Sequence, residues 1–292
     1  MIKFRKIFYF ISGLLVILSL AAILFWGFKW GIDFSGGALI EVEFFERPPF
    51  DLLKERVDDQ SFGAVSIQPV GEKNIIFRLS EINENEHQVF LAKVAGRDNY
   101  REILQEKRFN SVGPTIGREL KRRSFFAIGL VLLMIVLYIA FAFRKVSYPV
   151  SSWKYGLAAI AALAHDVLIP AGIFSVLGYF KNVEIDVLFI TALLTILSFS
   201  VHDTIVVFDR VRENLKKYSN RRPFEEVVDE SLRQTVGRSL ATSFALLIVL
   251  VSLFVFGAES VRYFSLTMII GIIVGTYSSI FIASPLLVTW QK

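Results

Sequence analysis

The sequence predicts a polytopic α-helical membrane protein, with six transmembrane helices and a small α+β domain between helices 1 and 2. Three observations carry that expectation. Of 292 residues, 54% are hydrophobic and 28 are Phe, gathered into long blocks as in a chain that lives in lipid. Six blocks reach the roughly 20 apolar residues a helix needs to cross a bilayer: residues 7–28, 124–143, 153–177, 187–208, 239–256 and 264–290. Between the first two lies a polar interval, residues 30–120, in which short alternating segments replace the continuous runs.

The first block follows Lys3, Arg5 and Lys6, as a secretory leader would. Its apolar stretch is about twice the usual core of a leader, and bulky Leu24, Phe25 and Trp26 stand where small cleavage-site residues belong, so it reads as a retained anchor, residues 1–29. An even number of spans puts both termini on one side. Lys and Arg collect at the N-terminus, at Arg144, Lys145 and Lys154, and at Arg210, Arg212, Lys216, Lys217, Arg221 and Arg222. The opposite short loops hold only Lys181 and Arg262, balanced by Glu184, Asp186 and Glu259. By the positive-inside bias both termini are expected in the cytoplasm, with residues 30–120 outside and a cytoplasmic loop at about 210–236 between spans of the 121–292 region. Arg118, Lys121, Arg122 and Arg123 fall on the outer side, but they follow a long translocated domain, where that bias is weak.

Within the external interval, residues 38–45 read as a strand, 50–59 as a short helix behind Pro48 and Pro49, and 64–70 and 74–80 as strands joined by a tight turn. Residues 84–105 read as helical with a break at Gly96, and 108–112 as a last strand. The order β-α-β-β-α-β is that of a ferredoxin-like sandwich. Ile32-Asp33-Phe34-Ser35-Gly36-Gly37 is no phosphate loop: it lacks the Gly-Lys-Ser/Thr that opens a helix, and a strand follows Gly37. It reads as a glycine turn where the chain leaves the bilayer.

The net charge of +5 follows from sidedness, so no nucleic-acid partner is implied, and anionic lipid at the inner face is the simpler partner. Without cysteine there are no disulfides, thiolate nucleophiles or Cys-ligated metals. With no Walker sequence, any work draws on a partner or an ion gradient.

Two acids interrupt the apolar runs: Asp166, preceded by His165, and Asp203, preceded by His202. A carboxyl at membrane depth costs several kcal/mol unless it is paired, hydrated or protonated, and such acids mark proton or ion pathways. Ala158, Ala162 and Asp166 share one stripe, which turns the acid toward another helix. Pro170 then removes the amide that would return to the Asp166 carbonyl. This describes either a titrating site or a satisfied acid in a packing kink. In the fourth span Ser200, Asp203 and Arg210 form one stripe and Ser198, His202 and Asp209 the next. Asp209 and Arg210 sit at the headgroup level. Burial disfavours the charged form of any carboxyl and a nearby cation favours it, so proton uptake can couple to rearrangement. Arg238 is the candidate cation if it lies deep against Asp203; otherwise it snorkels to the surface. Two His and two Asp lack a metalloprotease signature, so no metal is expected, and no cofactor. Gly271 and Gly275, then Ser278, Ser279 and Ala283, form a close-packing face.

Several segments resemble the SecD/SecF family of protein-export proteins, and SecF in particular. They are Gly31-Ile32-Asp33-Phe34-Ser35-Gly36-Gly37, Val112-Gly113-Pro114, His165-Asp166-Val167, the run from Asp203 through Asp209-Arg210 to Asn214, and Gln234-Thr235-Val236-Gly237-Arg238-Ser239. The family pattern before the fourth-span acid reads Gly-Tyr-Ser-x-Asn-Asp, where this chain has Ser198-Phe199-Ser200-Val201-His202-Asp203; His202 can itself titrate. The resemblance implies a six-span subunit of the bacterial cytoplasmic membrane, related in architecture to the resistance-nodulation-division exporters. It would pair with a SecD-like subunit, associate with a SecY-containing channel, and use the proton motive force to draw out the translocating polypeptide. It also implies proton passage at Asp203 and Arg238. The expected role is therefore not enzymatic. Two rivals are a proton-coupled small-molecule exporter subunit, usually twice this size, and an intramembrane aspartyl protease built on Asp166 and Asp203.

Overall fold

The computed structural model describes residues 1–58, 62–143, 150–218 and 221–291. Arg144 and Lys145, and the expected end of the first short helix at Asp59, lie outside the described residues. The chain divides into two compact units, residues 30–124 and residues 1–29 with 125–292.

The smaller unit is a four-stranded antiparallel sheet with helices: β1 (Gly37–Phe44), α3 (Phe50–Val57), β2 (Ser66–Val70), β3 (Asn74–Leu79), α4 (Glu84–Ala95) and β4 (Leu104–Val112), preceded by a single turn, α2 (Ile32–Ser35). The strands lie in the order β2-β3-β1-β4, so β1 is central and bonds to β3 and β4. Alternation on β1 and β3 sends Ala38, Ile40, Val42, Phe44, Ile75, Phe77 and Leu79 inward, where they meet Leu53 and Val57 of α3 and Phe90, Leu91 and Val94 of α4. Asn83 caps α4, its side chain accepting from Glu86 N while Glu86 Oε2 accepts from Asn83 N, a reciprocal box that satisfies two orphan amides. Gly96, at φ 72°, ends the helix. The helical reading of residues 84–105 thus overran: a 3₁₀ turn at Tyr100–Glu102 follows, and β4 begins at Leu104, well before residue 108. The charged run Gln105–Arg108 hid that strand, because its β4 edge position leaves it half in solvent.

The glycine turn is built for close approach. Gly36 and Gly37 have φ of 78° and 116°, and a Cβ on Gly36 would lie 2.7 Å from Pro114 Cα. One on Gly117 would lie 2.9 Å from Gly36 N. The turn therefore seats the start of α5 (Pro114–Ala142) directly on backbone.

The larger unit consists of helices: α1 (Arg5–Trp26), the apolar part of α5, α6 (Ser152–Lys181), α7 (Val187–Tyr218), α8 (Phe224–Phe256), α9 (Glu259–Ser278) and α10 (Ser284–Thr289), the last two joined by a π-helical segment, Ser279–Ala283. Six helical stretches among the described residues are long and apolar enough to cross a membrane. Helices outrun the apolar blocks: α5 starts at Pro114, α7 continues to Tyr218 and α8 begins at Phe224, since polar helix ends project past the hydrocarbon while keeping their backbone bonds. Over half of the apolar stretch of α6, α7 and α9 is buried, against 6% for α5. Small residues bring these central helices together. A Cβ on Gly172 of α6 would run into Ser19 of α1, and one on Gly271 of α9 into Ile196 of α7. Ser175 of α6 donates to the carbonyls of Ala22 and Gly27 at 2.9 and 2.6 Å.

Candidate functional site

The acid of α6 is fully enclosed. Ala158, Ala162 and Asp166 all have 0% exposure, and α6 passes through Pro170 without ending. Asp166 Oδ2 accepts from Ser200 Oγ of α7 at 2.5 Å and from Ser278 Oγ of α9 at 2.7 Å. Its Oδ1 faces His165 Nδ1 at 3.0 Å, and the His165 ring stacks near Tyr277 at 6.1 Å between centroids. One carboxyl thus ties together the three buried helices. Gly275, one turn before Ser278 and Ser279, leaves room: its Cβ would lie 3.2 Å from Ser200 Cβ. Below this point α9 widens into the π-helical segment, where Ser279 Oγ meets Thr204 Oγ1 at 2.9 Å and Ser284 Oγ donates to the Ser279 carbonyl at 3.1 Å. π-bulges gather at functional sites, and here hydroxyls take up the displaced backbone bonding.

Asp203 lies on α7 where α8 packs, with 5% exposure. Ser239 Oγ of α8 donates to its Oδ1 at 2.5 Å, while Oδ2 has no hydrogen-bond partner among the described residues. Arg238 does not enter this contact. Successive side chains on a helix diverge by about 100°, so turning Ser239 toward α7 points Arg238 away, and it is exposed. Asp203 and Asp166 share no hydrogen-bond partner, unlike the two acids of an aspartyl dyad that hold one proton between them.

The two stripes of α7 part over most of their length: Ser200 and Asp203 are buried and Arg210, at the end of their stripe, is half-buried, whereas Ser198, His202 and Asp209 are exposed on the surface of this chain. Further along, the α7–α8 hairpin is laced by polar rungs: Arg210 Nε donates to Gln234 Oε1 at 2.7 Å, and Asn214 Nδ2 to Ser231 Oγ at 2.8 Å. Arg210 also pairs with Glu213 and Asp209 with Arg212, while Thr235 donates to the Ser231 carbonyl of its own helix at 2.9 Å. In the smaller unit Gly31 is the N-cap of α2, its carbonyl accepting from Phe34 N and Ser35 N; Phe34 is buried and Asp33 stands in the first turn. Among the described residues no three His, Asp or Glu side chains converge to hold a metal ion.

The sequence pointed to the acids and missed their donors. Ser200, Ser239 and Ser278 look ordinary in apolar helices, where a serine can bond its own preceding turn; a hydroxyl three or four residues from a buried acid or small-residue motif was the available signal.

The chain is similar to known proteins over nearly its whole length. Residues 93–292 match the family model for the protein export membrane protein SecD/SecF, C-terminal, and residues 22–44 match the SecD/SecF GG motif. The chain is 42% identical to the protein translocase subunit SecF of Thermobaculum terrenum, over 100% of this chain and 93% of that one. It is 35% identical to the subunit of the same name from Haemophilus influenzae, over 96% and 82%. It is also similar to the crystal structure of SecDF, a translocon-associated membrane protein from Thermus thermophilus, with a TM-score of 0.83 and 32% identity; 99% of this chain matches 38% of that longer one. A super-membrane-facing form of SecDF matches with a TM-score of 0.69. Relatives bearing a protein-translocase name weigh against the small-molecule exporter alternative. The chain belongs to the SecD/SecF family of protein-export membrane proteins, and within it to the SecF members.

Proposed function

We propose that this chain, an integral protein of the bacterial cytoplasmic membrane, serves protein export by coupling proton movement at Asp203 to motion of its helices and of the 30–124 unit. The observation that carries the reading is the Asp203 carboxyl: buried at membrane depth, bonded through one oxygen to Ser239 and through the other to nothing described. A carboxyl anchored by a hydroxyl, with no salt bridge among the described residues, changes protonation with little rearrangement of its first oxygen. His202 next to it and Arg238 beside Ser239 are both exposed, so pairing either with Asp203 takes a side-chain or helix rearrangement. Asp166 and His165 form the second, enclosed part of the proton pathway.

The pairing with a SecD-like subunit is supported by the exposed polar stripe of α7, since Ser198 and His202 facing lipid would be costly and a second helix bundle would cover them. The chain matching 38% of a SecDF chain fits half of a paired assembly. Association with a SecY-containing channel and contact with the translocating polypeptide follow from the family. Both termini are assigned to the cytoplasm, with residues 30–120 outside, on the distribution of Lys and Arg. The order β2-β3-β1-β4 on a β-α-β-β-α-β chain is read as a ferredoxin-like split βαβ. No bond-making chemistry is assigned.

The test is complementation. In cells lacking the chromosomal copy, the wild-type gene restores maturation of a secretory precursor; unaltered maturation in the deletion strain would contradict a role in export.

A further inference from the structure

Outside the two acids, an exposed basic surface lies at the start of α5. Arg118 and Arg122 stand one turn apart on that helix, both exposed and without an ion-pair or hydrogen-bond partner among the described residues. Their neighbours are accounted for: Arg123 is held by Glu119 at 2.6 Å, and Lys121 Nζ lies 3.7 Å above the Trp30 ring. The helix then runs directly into apolar residues, beginning with Phe125 and Phe126. Two free guanidinium groups and a Trp-capped lysine thus immediately precede the apolar part of α5.

The base under them is rigid. Gly36 meets Pro114, and Gly117 meets the Phe34–Gly36 backbone, too closely for any side chain. The arginines therefore project from a seated helix end and not from a loop. A cluster that only snorkels needs no such fixed base.

We propose that Arg118 and Arg122 bind the headgroup phosphate of an anionic phospholipid, with Trp30 and Lys121 forming the side of the site. Guanidinium groups match phosphate geometry with paired N–H donors, whereas a lysine supplies a point charge. Trp is favoured at the headgroup level of a bilayer. The face is charged, unpartnered and at the membrane border, where phosphate diesters are the abundant anions on either side of the bilayer. The site holds whether or not Asp203 carries protons.

The full chain, purified in neutral detergent, is titrated with dioleoylphosphatidylglycerol or dioleoylphosphatidylcholine, and bound lipid is counted by native mass spectrometry. Wild type should retain phosphatidylglycerol in preference to phosphatidylcholine, and R118Q/R122Q should lose roughly tenfold in phosphatidylglycerol affinity while eluting as a single folded species. R118K/R122K, which keeps charge without the fork, should fall between the two. Equal retention of both lipids, or a double Gln variant that binds like wild type, would overturn the proposal. So would complete displacement by inorganic phosphate, which would mark a general anion site. Loss of bound lipid when the SecD-like subunit is co-purified would assign the face to protein and overturn it equally.

Discussion

Ser239 Oγ donates to Asp203 Oδ1 at 2.5 Å, joining α8 to α7 through a carboxyl with only 5% exposure. With Arg210–Gln234 and Asn214–Ser231 it forms the innermost rung of one hairpin. In the proposed role, a change in the charge of Asp203 would act on the packing of α8 through this bond.

Asp166 depends on hydroxyls from two other helices. Ser200→Ala or Ser278→Ala removes one of the two donors to the same oxygen and should cost about 1–3 kcal/mol each, as a buried acceptor loses its partner. Because both bond Oδ2, the double variant should deviate from additivity. Thermal unfolding in detergent checks this; single variants indistinguishable from wild type would show that Asp166 does not hold the three helices.

Gly271 faces Ile196 with no room for a methyl group. Gly271→Ala should destabilise the helical unit by about 1–3 kcal/mol through overpacking, and Ile196→Val in the same chain should recover part of the loss. The same unfolding assay reads both; a double variant no better than G271A would place the strain elsewhere.

Two of the glycine turns of the smaller unit, at Gly36 and Gly71, differ in what surrounds them. Gly36, at φ 78°, abuts Pro114, whereas Gly71, at φ 63°, has nothing within 4 Å of its would-be Cβ. Gly71→Ala should cost only the left-handed backbone penalty of about 1–2 kcal/mol. Gly36→Ala adds a backbone collision and should expose residues 30–124 to limited proteolysis. Equal protease resistance of the two variants would contradict the close seating of α5.

Lys107 Nζ bonds Glu43 Oε2 at 2.7 Å across β1 and β4, and that bond, aided by the lysine charge, holds the Glu43 carboxyl below the ordinary glutamate range. A depressed carboxyl contributes stability above its unfolded pKa and loses it as pH falls through the folded value. The gap in unfolding temperature between wild type and K107A should therefore narrow as pH drops from about 7 to about 3. A gap that stays constant would mean the pair contributes nothing through charge. The effect is small, since the pair is solvent-exposed.

How much of this was legible in the sequence follows from which forces act locally. Apolar blocks and isolated acids are local facts, and hydropathy alone locates the membrane helices, Asp166 and Asp203. Helix ends are not: α7 and α8 extend through charged residues that remain helical because each backbone bond is internal to the helix. Strand β4 starts inside a charged run because Gln105, Lys107 and Arg108 lie at a sheet edge, where polar side chains are admitted. The partner of Asp203 was unreadable for a rotational reason, since Arg238 and Ser239 differ by one position and only helix packing decides which one faces α7. The Gly36–Gly37 pair reads as a turn, yet its second role, contact with Pro114 and Gly117, depends on a residue pair far along the chain.

The central claim is that a proton at Asp203 drives the contribution to export. Translocation of a radiolabelled secretory precursor into inner-membrane vesicles carrying this chain and its SecD-like subunit, with and without a proton gradient, tests it most directly. Wild type should show a gradient-dependent step that Asp203→Asn abolishes while protein level and membrane insertion stay unchanged. Full gradient-dependent translocation in the Asp203→Asn vesicles would contradict it and leave Asp203 as a buried acid satisfied by Ser239.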